Sequence, residues 1–208
     1  MSYSGKGTEP FPGAAYDIVA LAASAGGLNA ISQVLSGLGS DFPAAVVVVQ
    51  HLDRHHPSLM ADILRRRTAL AVRQAEEGDA LRPGTVYIAM PDRHLLVNPD
   101  GTLSLSHSEL VHFVRPSADL LFESAAASYT NRVIVVVLSG TGSDGNMGVT
   151  AVKKMGGIVI AQDRATAEFF GMPEAAISTG DVDYILPLKE IASFLIKLVT
   201  LSHECPSI

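Results

Sequence analysis

Residues 17–50, DIVALAASAGGLNAISQVLSGLGSDFPAAVVVVQ, decide the fold. The opening DIVALAA is a short, nearly unbroken apolar run, and residues 44–50, AAVVVVQ, are apolar without alternation, which marks strands covered on both faces. Between them, residues 28–38, LNAISQVLSGL, repeat their apolar positions at helical spacing. Strand, helix and strand in this order form a βαβ unit, which implies a parallel sheet.

Working outward, the same rhythm continues. Residues 57–67, PSLMADILRRR, predict a helix opened by Pro57 and closed by basic residues that suit the negative end of its dipole. Residues 117–129 predict another, with Ser117 as N-cap, and residues 132–138, RVIVVVL, form the most strand-like run in the chain. A helix over 146–155 stops at Gly156 and Gly157; a strand at 158–162, a short helix at 173–178, a strand at 184–186 and a helix at 188–198 follow. Residues 71–106 differ, with short pieces split by RPG, PD and NPDG turns, and predict antiparallel β structure. The expected fold class is therefore α/β: a doubly wound, mostly parallel sheet with an antiparallel β insertion near 71–106, in a single domain.

Composition agrees. A chain of 208 residues, 48% hydrophobic, can bury one large core and is short for two. That domain is expected over 16–201, after a loose Gly, Pro and Ser-containing leader at 1–15 and before a tail at 202–208. Lys and Arg total 15 against 21 for Asp and Glu, a net charge of -6, so a nucleic-acid partner is not expected. A lone Cys205 excludes a disulfide within the chain and fits a cytoplasmic location. Apolar runs such as 44–49 and 133–138 fall far below the roughly 20 residues a bilayer span requires, so membrane insertion is not expected.

In an open parallel sheet, functional groups collect just beyond the carboxyl ends of the strands. Three ends carry polar chemistry: Ala23-Ser24-Ala25-Gly26-Gly27, Gln50-His51-Leu52-Asp53, and Ser139-Gly140-Thr141-Gly142-Ser143-Asp144-Gly145. A serine hydroxyl needs an adjacent base to become a nucleophile, and an imidazole base needs a carboxylate to fix its tautomer. Ser24, His51 and Asp144 supply all three. The helix start after Ser24 offers backbone N–H groups, so Ala25 is one expected oxyanion donor and Thr141 or Gly142 a second.

Each residue also has a plainer reading. Ser24 and Asp144 suit helix caps, and His51 suits a core or loop position. His51, Asp53, His55 and His56 suggest a metal, but adjacent His55 and His56 side chains diverge and no spaced carboxylates complete a shell, so neither metal nor cofactor is expected. The main competitor is nucleotide binding, because residues 140–145 match G-x-G-x-x-G after a strand, with Asp163 at a strand end about 20 residues later. Against it, Asp144 would set a carboxylate where a pyrophosphate must lie.

The chain resembles the catalytic domain of the CheB family of chemotaxis protein-glutamate methylesterases over about residues 16–200. The resemblance rests on residues 23–27, on Gln50-His51, on 84–91 with Asp92 and His94, and on Arg115-Pro116-Ser117 with Asp119 and Phe122. It extends through 139–145 and Ala161-Gln162 to Phe170-Gly171-Met172-Pro173. It implies Ser24 as nucleophile, His51 as base and Asp144 as the orienting acid. It also implies glutamyl methyl esters on the cytoplasmic helices of methylated chemoreceptors as substrate, with deamidation of receptor glutamines in some members. Arg115 is expected either to bind the acid side of the substrate or to form a structural pair with Asp119, and Met172 to shape the wall beside the triad.

Two departures stand out: Ala25 replaces the threonine frequent after the nucleophile, and about fifteen irregular residues precede the first strand where the familiar enzyme has a receiver domain. Regulation in cis by such a domain is not expected, which leaves a separate receiver protein as candidate regulator. A catalytically silent receptor-binding adaptor is the alternative function.

Overall fold

The computed structural model describes residues 9–51 and 59–200. The strands are β1 (Ile18–Ala23), β2 (Ala45–Gln50), β3 (Ala71–Gln74), β4 (Thr85–Ile88), β5 (His94–Val97), β6 (Leu103–Ser106), β7 (Val133–Val137), β8 (Ile158–Gln162) and β9 (Tyr184–Leu186). The helices are α1 (Gly27–Ser36), α2 (Met60–Arg65), α3 (Ala118–Tyr129), α4 (Asn146–Lys154), α5 (Gly171–Ser178) and α6 (Leu188–Thr200). Pro57, within the expected helix start, lies outside the described residues.

Seven strands form one sheet in the order β3-β4-β2-β1-β7-β8-β9, with every pairing parallel. β1 sits at the centre and is buried along its full length. Because side chains alternate across a strand, Ile18, Ala20 and Ala22 enter one core with Leu121, Phe122 and Val149. Val19, Leu21 and Ala23 enter a second core with Ile31, Leu35, Ile191 and Leu195. One layer, built on α3, α4 and α5, thus covers one face, and α1 and α6 cover the other.

The antiparallel part is smaller than the sequence suggests. Residues 71–88 belong to the main sheet, where β3 and β4 pair in parallel at its edge. Among the described strands β5 and β6 pair antiparallel, as a two-stranded hairpin, and isolated antiparallel bridges join Ala80 to Thr102 and Val111 to Val114. The reason lies in the connector 75–84, which crosses back and hydrogen-bonds to the hairpin through Gly78 N–H to Leu103 O, Leu81 N–H to Gly101 O and Leu103 N–H to Asp79 O. The consecutive burial of Val86, Tyr87 and Ile88 is the signature of a strand covered on both faces.

The hairpin packs on α3: Ser124 Oγ accepts from Val97 N–H at 3.1 Å and Ser128 Oγ donates to Val97 O at 2.9 Å. At the opposite end, Phe11 N–H donates to buried Asp17, Ala15 N–H donates to Val199 O, and Asp17 pairs with Arg132. Residues 11–15 of the expected leader are therefore tied to the domain.

Helices α3 and α4 approach closely at Gly148, where a Cβ would stand 2.5 Å from Phe122 Cβ and 3.0 Å from Asp119 O. Overpacking of this kind outweighs the roughly 1 kcal/mol gain in helix propensity from Gly to Ala. We expect Gly148→Ala to lose about 1–2 kcal/mol and about 3–6 °C in melting temperature. A thermal scan showing an unchanged or raised transition would refute the close contact.

Candidate active site

Parallel alignment brings the ends of β2, β1 and β7 side by side, since Ala23 is in register with Gln50 and Ala22 with Val137. The three polar strand ends read from the sequence are thereby neighbours. His51 N–H donates to Ala23 O at 3.0 Å, and Ser24 N–H donates to Ser139 O at 3.0 Å. Ser24 stands in the turn between β1 and α1, and Gly26, with φ 72°, adopts the left-handed conformation that closes this turn. Gly27 presents no side chain where Gln50 Oε1 lies.

Asp144 follows β7 and is buried. Its Oδ2 accepts from His51 Nε2 at 2.7 Å and from Ala118 N–H at 2.6 Å. Its Oδ1 accepts from Ser117 Oγ at 2.7 Å and, more weakly, from Asp119 N–H at 3.3 Å. Three of these donors come from the start of α3, whose N-terminal dipole also favours an anion. Burial pushes the Asp144 carboxyl up, but the hydrogen bonds from His51, Ala118 and Ser117 outweigh it and hold the group below the ordinary aspartate range. Asp119 moves the other way, raised by burial and by the charge of Asp144, against a hydrogen bond from Gly148 N–H.

His51 is thus anchored through Nε2, leaving Nδ1 as its other ring nitrogen. The Ser24 hydroxyl makes no hydrogen bond among the described residues, so the structure brings Ser24 into the cluster through backbone contacts and joins only His51 and Asp144 by their side chains. The N–H groups of Ala25, Thr141 and Gly142 likewise donate to no acceptor among the described residues, and Thr141 and Gly142 are exposed.

Met172 is buried, donates its N–H to Gly140 O at 2.8 Å, and sets its sulfur against Gly140, beside Ser24. Arg115 pairs with Asp92 rather than Asp119: its Nη2 and Nε reach Asp92 Oδ1 at 2.6 and 3.0 Å, and its Nη1 reaches Ser108 O at 2.6 Å. Asp119 instead faces His112 at 3.2 Å. With its guanidinium engaged on these sides and its side chain only 12% exposed, Arg115 braces the 107–116 loop. The nucleotide motif also resolves: Asp144 turns into the protein toward His51, and Asp163 accepts from Thr166 in a local turn. Of the residues weighed as metal ligands, Asp53, His55 and His56 lie outside the described residues.

Several residues that the sequence named only as part of the resemblance, without a role in the site, support it here. Gln50 Nε2 donates to Ser24 O at 2.6 Å and His51 O at 3.2 Å, clamping the two loops together. Ser139 Oγ donates to Ala25 O and accepts from Phe169 N–H, while Gln162 Oε1 accepts from Ser139 N–H. Ser117 reads from the sequence only as a helix cap, yet its hydroxyl is one of the donors on Asp144.

Comparison with known proteins gives this arrangement a context. A family model described as CheB methylesterase matches residues 19–195. A Burkholderia lata protein named protein-glutamate methylesterase/protein-glutamine glutaminase 1 is 43% identical over 181 residues, covering 87% of this chain and 54% of that protein. The Myxococcus xanthus protein-glutamate methylesterase FrzG is 40% identical over 191 residues, covering 92% and 57%. The chain spans about half the length of these two relatives, but 95% of a Leptospira interrogans relative that is 39% identical over 183 residues. The crystal structure of the Thermotoga maritima CheB methylesterase catalytic domain aligns with a TM-score of 0.84 at 38% identity, covering 89% of this chain and all of that one. By the match over most of its length and the shared fold, the chain belongs to the CheB methylesterase family.

Proposed function

We propose that the protein is a protein-glutamate methylesterase that hydrolyses glutamyl methyl esters on the cytoplasmic helices of chemoreceptors. In this reading Ser24 is the nucleophile, His51 the general base and Asp144 the orienting acid. The observation that carries it is the His51–Asp144 hydrogen bond, fixed from behind by the start of α3, at the strand end next to Ser24.

Asp144 holds the proton of His51 on Nε2, so Nδ1 is the base. Nδ1 takes the Ser24 proton as Oγ attacks the ester carbonyl. The N–H groups of Ala25 and of Thr141 or Gly142 receive the resulting oxyanion. The tetrahedral intermediate collapses, His51 returns the proton to the departing methoxide, and methanol leaves an acyl-serine. Water, deprotonated by His51, attacks that ester; glutamate is released and Ser24 regains its proton. A glutamine side chain follows the same path with ammonia as leaving group, which accounts for deamidation. No step calls for a cofactor. Among the described residues no helix is long and apolar enough to cross a membrane. A cytoplasmic location and a separate receiver protein as regulator belong to the same proposal.

The test is methanol release from a methylated receptor fragment by the wild-type protein and by Ser24→Ala, with ammonia release from the glutamine form in parallel. Absence of both activities in the folded wild-type protein would leave the adaptor reading. Because the contribution expected from Ala25 is its backbone N–H, Ala25→Thr should change turnover by no more than about threefold. A many-fold rise in kcat would show that a hydroxyl at this position takes part.

A further inference from the structure

We propose that His94 is a positioning residue for this site: its Nδ1 anchors the first turn of α3, and that turn holds Asp144 against His51. The proposal rests on the hydrolase reading and adds a residue that touches none of the reacting groups.

His94 opens β5 and is completely buried. Its Nδ1 lies 3.1 Å from the backbone N–H of Ser117, and its Nε2 lies 3.0 Å from Glu109 O. Ser117 N–H can only donate and Glu109 O can only accept, so the proton sits on Nε2 and Nδ1 is an acceptor. Protonating Nδ1 would set two donors face to face. Burial also pushes the imidazole pKa down, although a hydrogen bond to Glu109 opposes this; Arg115 disfavours the charge, while Asp144 and Asp92 favour it. His94 is therefore a neutral ring of fixed tautomer.

Its partner stands at a junction. Ser117 is the N-cap of α3 in extended conformation, with φ -111° and ψ 136°, and is fully buried. Its N–H goes to His94, its Oγ goes to Asp144, and the next two N–H groups, of Ala118 and Asp119, also go to Asp144. Without an acceptor at residue 94 the Ser117 N–H would be a buried orphan, and the turn would shift to rehydrate it. That shift would disturb three of the four donors on Asp144, and with them the orientation of His51.

Two variants separate the ring nitrogens. His94→Asn keeps an acceptor near the Nδ1 position, whereas His94→Gln reaches toward Glu109 and leaves Ser117 N–H without one. We expect His94→Asn to keep kcat within about threefold, and His94→Gln and His94→Leu to lower it about tenfold or more at unchanged KM. The loss in His94→Leu should also be strongly non-additive with that of Ser117→Ala, because both act on one carboxylate. The downfield proton resonance of the His51–Asp144 hydrogen bond should persist in His94→Asn and shift or vanish in His94→Gln.

Equal kcat in the Asn and Gln variants, a loss confined to KM, or additive effects with Ser117→Ala would overturn the proposal. If His94→Leu does not fold, the Asn and Gln pair decides. If the wild-type protein shows no Ser24-dependent hydrolysis, the functional reading fails instead, and the resonance still decides whether His94 positions the His51–Asp144 pair.

Discussion

Ser24→Ala is expected to reduce methanol release by about 10^4-fold or more while leaving the melting temperature within about 2 °C of the wild type. In the proposed mechanism the kinetic effect is large because Ser24 Oγ forms the acyl-enzyme: without it, water must attack an ester that is bound and polarised but not covalently captured. The residual rate would come from binding and the oxyanion donors alone. The structural effect is small because Ser24 holds its place through the backbone, donating its N–H to Ser139 O and accepting at its carbonyl from Gln50 and Gly27. Its hydroxyl caps nothing, so α1 starts without a side-chain cap. A variant with wild-type stability and more than about one tenth of wild-type turnover would remove Ser24 from the mechanism.

Asp144→Asn is expected to lower kcat by about 100-fold or more through loss of the charge that stabilises the His51 imidazolium. Ala118 N–H lies 2.6 Å from the oxygen that faces His51, so asparagine keeps its amide oxygen there and turns its NH2 toward Ser117 Oγ, which can accept. The tautomer of His51 is kept, but a neutral amide stabilises the imidazolium far less than a carboxylate does. The substitution should also destabilise the fold, and in a pH-dependent way. The native Asp144 carboxyl lies below its ordinary range, so the unfolded chain binds more protons than the native one as the pH falls. The stability gained from this depression is fully present above the ordinary carboxylate range and is lost as the pH drops through the lowered native value. Asparagine cannot titrate, so the gap in melting temperature between wild type and variant should be widest near neutrality and narrow progressively in acid. A gap independent of pH would mean that the destabilisation is steric and that the charge at Asp144 plays no part in it.

The neighbouring carboxyl gives a control. Asp119 is raised where Asp144 is lowered, and part of that rise comes from the charge of Asp144 itself. In Asp144→Asn this repulsion disappears, so Asp119 should titrate at lower pH than in the wild type, which carboxyl NMR can follow.

The sequence alone determined the layered α/β fold, because Val46 to Val49 and Val133 to Val137 are apolar without alternation and are separated by helical periodicity. It also placed Ser24, His51 and the Asp144 loop at strand ends, since a strand-to-helix turn is a local feature written in adjacent residues. It did not determine where residues 71–88 pair. Pairing depends on the crossing connector and not on the strands themselves, and the turn signals there suited a hairpin as well as a parallel edge. Nor could it say what holds Asp144. The donors are Ser117 and Ala118, 27 and 26 residues earlier, backed by His94 at a further 23 from Ser117, and Arg115 closes on Asp92 instead of Asp119. Such contacts join groups distant in sequence through the ends of helices. Hydrophobic periodicity reports which face of an element is buried, but not which N–H or carboxylate meets it across the fold, and only the tertiary structure decides that.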